Sequence, residues 1–325
     1  MQDETAMSTA IEAAWTVLGS TSPNPWVGAV VVGPGGERYM GATEPPGGRH
    51  AEIVALEAAG ADARGSTLYS TLEPCCHQGR TGPCTDAIVT AGVARVVVGI
   101  EDPDPNVAGR GIAALRDAGV AVEVGVRAGA VADQLAPYVK HRRTGRPYVT
   151  LKLATTLDGR TAAPDGTSRW ITGPEARADA HRLRAANDAV LVGAGTARTD
   201  DPELTVRLAD GRDPRRVVLG RAPHGARLHP ASEVSGPLDD ILDDLGRQGV
   251  LSLLVEGGPR VAHSFHSAGL VDRYVLYMAP ALMGGSDGRP VLDGPGTDSM
   301  SGVWRGRIVS VRRLGPDLRV EMEAA

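Results

Sequence analysis

Cysteine is scarce in this 325-residue sequence: Cys75, Cys76 and Cys84 are the whole supply, and all fall within ten positions. That excludes a disulfide framework spread along the chain. Thiols so closely spaced, in a chain expected in a reducing compartment, read as metal ligands or a reactive centre. Aromatic residues stand at 3%, with a single Phe, so the cores have to be built from Val, Leu, Ile and Ala. No apolar run approaches the length that crosses a bilayer, and the start MQDETAMSTA lacks the charged and apolar blocks of an export signal. The expected location is the cytoplasm, with no membrane partner. The net charge of −5 comes without a basic block, which argues against a nucleic-acid partner, because neutralising phosphates takes clustered Lys and Arg. Also missing is any G-x-G-x-x-G after a strand, so motif alone supports no Rossmann dinucleotide site.

What is present is length enough for two cores. From residue 27 onward, short Val/Ile/Leu runs alternate with helical stretches: VGAVVV (27–32), AEIVALEAAG (51–60), STLYST (66–71), CTDAIVTAG (84–92), ARVVVGI (94–100), VAGRGIAALRDAG (107–119) and VAVEVGV (120–126). Continuous apolar strands fit a sheet covered by helices on both faces. KHRRTGRP (140–147) is polar, basic and broken by Gly and Pro, and reads as a linker. A second alternation follows, with strands expected at 148–154, 188–194, 215–220, 250–258 and 272–280, and helices at 173–186 and 259–268. The expected architecture is α/β in two domains, 1–145 and 146–325.

The thiols have a partner upstream, in GGRHAEIVALEAAG (47–60). A catalytic zinc site takes three protein ligands and leaves one position open. His50, Cys75 and Cys84 supply an imidazole and two thiolates, although Cys76 beside Cys75 leaves the choice open on spacing alone; Cys75 is favoured because it follows Pro74. Cys84 opens a helix, whose unpaired amides favour thiolate over thiol. Zinc acidifies water, and a group must then carry protons to the substrate nitrogen. Glu52, two residues from His50, is the candidate for that catalytic role. H-x-E followed by P-C…C is the pattern of zinc-dependent deaminases, here with eight residues between the cysteines instead of two.

SPNPWVGAVVV (22–32), HAE (50–52), TLEPCCHQGRTGPC (71–84), EDPDPNVAGRG (101–111), LKLATTLDGRTA (151–162), SRWIT (168–172) and TDDPELTVR (199–207) together resemble the RibD family of bifunctional riboflavin-biosynthesis proteins, in the family's order and over nearly the whole chain. The resemblance implies a cytidine-deaminase-like three-layer α/β/α domain followed by a dihydrofolate-reductase-like α/β domain. For the first it implies hydrolytic removal of the 2-amino group of 2,5-diamino-6-(5-phosphoribosylamino)pyrimidin-4-one, with Asn24 touching substrate and His77, Arg80 and Thr81 holding its ribose phosphate. A guanidinium matches phosphate oxygens in geometry, which suits Arg80. The chain departs from the family pattern at Thr43, where many relatives carry a His, and at Ala29, where a Cys is common.

For the second domain the residues alone offer two Gly-rich turns, GAGT (193–196) and EGGPRVA (256–262), either able to present amides to an anion. The resemblance implies NADPH as cofactor, lined by Ala154, Trp170, Thr196, Asp200 and the run Gly258, Pro259, Arg260, Val261, Ala262, His263 and Ser264. Substrate contacts fall to Ser168, Arg184, Leu204, Arg207 and Glu256, with Lys152 and Asp158 shaping the cleft. Hydride would reach C1′ of the opened ribosylamine to give the ribityl chain. Positioning and phosphate recognition carry most of that reaction. The partners implied are small phosphoribosylaminopyrimidines and further copies of the chain in a homo-oligomer. Three rivals remain: a nucleic-acid deaminase with a targeting module, a structural zinc domain on a lone reductase, and a paralogue acting on a related pyrimidine in a specialised pathway.

Overall fold

The structure, a computed structural model, describes residues 2–77, 82–105 and 107–324. It divides into two compact units, 1–145 and 146–325. In unit 1 the order is α1 (Gln2–Trp15), β1 (Gly28–Val32), β2 (Arg38–Ala42), α2 (Ala51–Ala59), β3 (Thr67–Leu72), α3 (Cys84–Ala91), β4 (Arg95–Ile100), α4 (Arg110–Asp117), β5 (Ala121–Val124), α5 (Ala128–Gln134) and α6 (Ala136–Thr144). The strands form one sheet in the order β2-β1-β3-β4-β5. β1 runs antiparallel to both its neighbours, and β3, β4 and β5 run parallel.

Two glycines explain how helices reach both faces of this sheet. A Cβ on Gly28 would lie 1.9 Å from Ala10 O in α1, and one on Gly41 would lie 2.2 Å from Ala51 O in α2. Gly28 pairs with Ala42, and Gly41 with Ala29. Successive strand residues face opposite sides, so α1 and α2 press on opposite faces, each at a point where a side chain is missing. The result is the three-layer unit that the alternation implied. The segment 140–144, read from composition as linker, is instead the end of α6, capped by Gly145 in a left-handed conformation (φ +73°). Its basic residues His141, Arg142 and Arg143 lie in the last helical turn, where cations are favoured.

Unit 2 runs β6 (Tyr148–Thr156), β7 (Arg160–Ala162), α7 (Pro174–Ala186), β8 (Ala189–Gly193), α8 (Ala194–Asp200), β9 (Arg215–Leu219), β10 (Ser232–Val234), α9 (Leu238–Arg247), β11 (Ser252–Val255), α10 (Pro259–Ser267), β12 (Arg273–Ala279), β13 (Arg289–Pro290), β14 (Gly306–Leu314) and β15 (Asp317–Ala324). Eight of these strands form a sheet in the order β10-β9-β8-β11-β6-β12-β15-β14. All pairings are parallel except β12–β15 and β15–β14. Both faces are buried: Leu191, Leu253 and Val255 join one core with Phe265, Ile241 and Leu245, whereas Val190, Val192 and Leu254 join another with Leu204 and Leu228. That is why these strands read as unbroken apolar runs.

Candidate active sites

In unit 1 the ends of three elements converge. His50 is the residue before α2, with extended backbone (φ −76°, ψ 160°). Cys75 is the third residue after β3, and Cys84 begins α3. Among the described residues, His50, Cys75 and Cys84 form a metal-ligating group whose donor atoms all lie within 4.8 Å of one another. His50 Nδ1 is 3.2 Å from Cys84 Sγ and 3.5 Å from Cys75 Sγ. Zinc at its usual distances of about 2.0–2.3 Å from N and S in a tetrahedron holds those donors about 3.5 Å apart, so the donor set fits. Cys76 is half-buried and outside the group.

The electrostatics fit a cation too. The backbone N–H of Cys84, at the start of α3, donates to Cys75 Sγ over 3.4 Å. The hydrogen bond from the Cys84 thiol, against burial and with help from the His50 imidazole and then this backbone N–H, holds the Cys75 thiol down at about 4, and the same thiol–thiol bond, then burial, pushes Cys84 up. Two sulfurs this close share a proton unless a positive charge lies between them. Glu52, only 4% exposed, sits beside them on the first turn of α2. Burial pushes its carboxyl up to about 7, with His50 pulling the other way and Cys75 adding to the rise.

The remaining unit 1 candidates are less concentrated. Asn24 is half-buried and His77 exposed. Arg80 and Thr81 lie outside the described residues. Thr43, 3% exposed, accepts a hydrogen bond from Val27 N at 3.1 Å, so its hydroxyl is spent on tying backbone together. Sequence reasoning missed Glu73, a buried carboxylate in TLEP, and Asp102, whose carboxylate accepts from Tyr138 Oη at 3.0 Å.

In unit 2 the candidates gather at the C-terminal ends of parallel strands, where open α/β sheets bind ligands. β8 and β11 are adjacent and parallel, so the two Gly-rich turns that follow them meet. Gly193 N donates to Gly257 O at 3.0 Å, and Gly258 N donates to Thr196 Oγ1 at 3.0 Å. GAGT is no free turn, since its last three residues open α8. Of the 258–264 run, Ala262 is core, Arg260 is exposed and paired with Asp293, and His263 and Val261 are half-buried. Trp170 is 69% exposed, with the Arg177 guanidinium 4.5 Å over its ring. Arg169 reaches the Asp200 carbonyl at 2.6 Å, bridging two candidate segments.

Arg184 and Glu256 make the main electrostatic feature. Arg184 Nε and Nη2 donate to the two Glu256 oxygens at 2.5 and 2.9 Å, and Nη1 donates to Thr205 O at 3.1 Å. Their side chains are 13% and 8% exposed, so Arg184 is no helix-surface charge. Two of its five N–H groups remain for a ligand. Burial works against the Glu256 charge, but Arg184 and Lys152 prevail and hold the carboxyl at about 2. Lys152, on β6, is pushed down by burial while Glu256 pulls it up.

His181, one turn before Arg184 on α7, is a neighbour that sequence reasoning missed. It accepts from Arg207 N through Nδ1 at 3.0 Å, and burial, Arg184 and Arg207 hold it down at about 4, hence neutral near pH 7. Arg207 itself is half-exposed, pairs with Glu203 and touches Thr205 Oγ1 at 2.6 Å. The Leu204 side chain belongs to the core, and its backbone is left-handed (φ +56°), a conformation held at a cost in a non-glycine residue; only its backbone can face a ligand. Asp158 accepts from Thr156 Oγ1 and from Met283 N and Gly284 N, fixing the 283–284 loop. Ala154 and Ser168 are half-buried.

Comparison with known proteins agrees with this two-part layout. Residues 1–100 match the model of the cytidine and deoxycytidylate deaminase zinc-binding region, and residues 147–320 match the RibD C-terminal domain. A riboflavin biosynthesis protein RibD of Mycobacterium tuberculosis is 44% identical, covering 98% of this chain and 96% of its own. The structure of Acinetobacter baumannii RibD superposes with a TM-score of 0.93 at 37% identity, over 100% of this chain and 99% of that one. A Thermotoga maritima structure, described as a diaminohydroxyphosphoribosylaminopyrimidine deaminase/5-amino-6-(5-phosphoribosylamino)uracil reductase, gives 0.91 at 36% identity over 99% of both chains.

Proposed function

The chain belongs to the RibD family of bifunctional deaminase–reductases of riboflavin biosynthesis, and from that premise we propose how its residues divide the work. Residues 1–145 deaminate 2,5-diamino-6-(5-phosphoribosylamino)pyrimidin-4-one, and residues 146–325 reduce the ribosyl group of the resulting 5-amino-6-(5-phosphoribosylamino)uracil. The observation that carries this reading is the convergence of one imidazole and two sulfurs beside a buried carboxylate.

His50, Cys75 and Cys84 would hold zinc, which supplies acidified water at neutral pH. Glu52 is not a ligand in this scheme. Its carboxylate would take one proton from the attacking water and pass it to the ring nitrogen, then take the second from the hydroxyl of the resulting adduct and pass it to the amino group, which leaves as ammonia. Asn24, His77, Arg80 and Thr81 bind the substrate around that centre.

In the second domain NADPH supplies hydride for C1′ of the opened ribosylamine. Ala154, Trp170, Thr196, Asp200 and residues 258–264 form its binding surface, and the meeting of the two Gly-rich turns supports that placement. Ser168, Arg184, Leu204, Arg207 and Glu256 hold the substrate, with Glu256 fixing the plane of Arg184 so that its free N–H groups point one way. Preorganised charge of this kind lowers a barrier without reorganising during the reaction.

No helix among the described residues is long and apolar enough to cross a membrane, and the cytoplasm is the location we propose. A homo-oligomer is the assembly we propose, because the edge strand β14 exposes Ile308 (59%) and Val311 (57%) along unpaired backbone. Sedimentation velocity reporting a monomer at micromolar concentration contradicts that.

One experiment tests the division of labour. The diaminopyrimidine substrate is supplied with and without NADPH, and ammonia release and cofactor oxidation are followed separately. Ammonia is expected without NADPH, and NADPH oxidation only after ammonia appears. Oxidation that precedes ammonia release would reverse the proposed order, and an inert diaminopyrimidine would favour the specialised paralogue.

A further inference from the structure

Glu73 is 3% exposed and lies between the end of β3 and Pro74-Cys75. Its carboxylate accepts four backbone hydrogen bonds. Oε2 takes Asp102 N at 3.1 Å and Gly109 N at 2.9 Å; Oε1 takes Gly111 N at 2.8 Å and Ile112 N at 3.1 Å. Gly111 and Ile112 are in the first turn of α4, where unpaired amides favour a negative group. Asp102, Gly109 and Gly111 of the EDPDPNVAGRG segment, to which the proposed chemistry gives no role, thus converge with Ile112 on a single side chain.

The wrapping reaches the metal site through the backbone. Glu73 N donates to Ile100 O at 3.1 Å, extending the β3–β4 ladder past its last strand residue. Gly111 lies so close to Pro74 that a Cβ there would be 2.0 Å from Pro74 O. One residue further on, Cys75 O accepts from Thr85 N at 3.2 Å and Cys75 Sγ from Cys84 N. The chain therefore runs from a carboxylate anchored at four points to a ligand sulfur in two steps.

We propose that Glu73 is a positioning residue for the metal centre: by gathering the backbone at Asp102, Gly109, Gly111 and Ile112 onto the β3 end, it fixes where the Cys75 sulfur stands relative to His50 and Cys84. Groups that orient ligands from behind typically tune metal affinity or activity by about 10–100-fold. The proposal rests on the zinc-site reading given above.

The test uses the full-length zinc-loaded protein as wild type, Glu73→Gln and Gly111→Ala. Gln keeps the size but sets an NH2 group against backbone donors, while Ala at 111 pushes the loop off Pro74 with Glu73 intact. Zinc transfer to a chromophoric chelator, the cobalt(II) absorption spectrum, deaminase kcat and KM, and far-UV circular dichroism are measured. The expected result is release about 10–100-fold faster in both variants and an altered cobalt spectrum. Deaminase kcat should fall with little change in KM, with circular dichroism and NADPH oxidation as in wild type. Zinc release and cobalt spectra identical to wild type overturn the proposal alone. Loss of the unit 1 circular dichroism signal together with zinc overturns it too, because Glu73 is then a folding residue only. A wild-type protein that holds no zinc overturns the underlying reading, and this proposal with it.

Discussion

Glu52 and Glu256 are both buried carboxylates beside a candidate site, one in each unit, and their surroundings push them in opposite directions. Glu52 rises to about 7 because burial meets only partial compensation from His50, with Cys75 repelling it. Glu256 falls to about 2 because Arg184 and Lys152 outweigh the same burial. Burial alone therefore does not say what a carboxylate is for. A group left near neutrality can exchange protons, whereas one clamped by two cations holds a fixed charge and orients its partners.

The same chemical change at both positions separates these roles. Glu52→Gln is expected to lower deamination by about 100–10,000-fold, the usual worth of a general acid–base group, while zinc content and NADPH oxidation stay as in wild type. Metal analysis showing lost zinc would mean Glu52 is a ligand. Glu256→Gln is expected to cost unit 2 about 3–5 kcal/mol in urea unfolding, since it leaves Arg184 and Lys152 buried without their counter-charge. An unchanged midpoint would show that the pair is not holding the fold.

A smaller effect distinguishes ligand contacts within unit 2. Arg207→Ala, at a half-exposed side chain, is expected to weaken binding of the phosphoribosylaminouracil about tenfold or more, as for a lost charge-assisted hydrogen bond, and to leave NADPH affinity nearly unchanged. Equal losses for both ligands by calorimetry would remove Arg207 from the substrate side.

The smallest effect concerns a carboxylate outside either site. Asp3 is held at about 2 by its hydrogen bonds to Arg95 and Tyr69. Because its folded value lies below the unfolded one of about 3.9, its stabilisation is complete above about pH 4 and disappears as pH falls toward 2. Being about one-third exposed, the pair is screened, so Asp3→Asn should cost only about 0.2–1 kcal/mol at pH 6. The gap between wild type and variant in thermal unfolding should close near pH 2; a constant gap would assign it to packing.

The legibility of the two sites differed for a physical reason. His50, Glu52, Cys75 and Cys84 lie within 35 positions on consecutive elements, so spacing draws them together and leaves open only the choice between Cys75 and Cys76. Arg184 and Glu256 are 72 positions apart, and nothing local in HRLRAA or VEGG says that they pair. The same holds for Thr196 and Gly258, two weak turns that gain meaning once β8 and β11 are neighbours. Elements were lost where the pattern misled: α1 and α6 from weak periodicity or a basic tail, and the β14–β15 hairpin because β14 is exposed and both strands are charged.

From its own letters the chain dictates helix-covered sheets, a metal-binding thiol cluster and family membership, since apolar runs, ligand types and short spacings are properties of neighbouring residues. Strand order was needed for the rest. Only the folded sheet decides that Cys76 stays outside the donor group, that Thr43 serves the backbone, and that one glutamate is clamped by cations while the other is not, because those outcomes depend on which distant groups share a desolvated space.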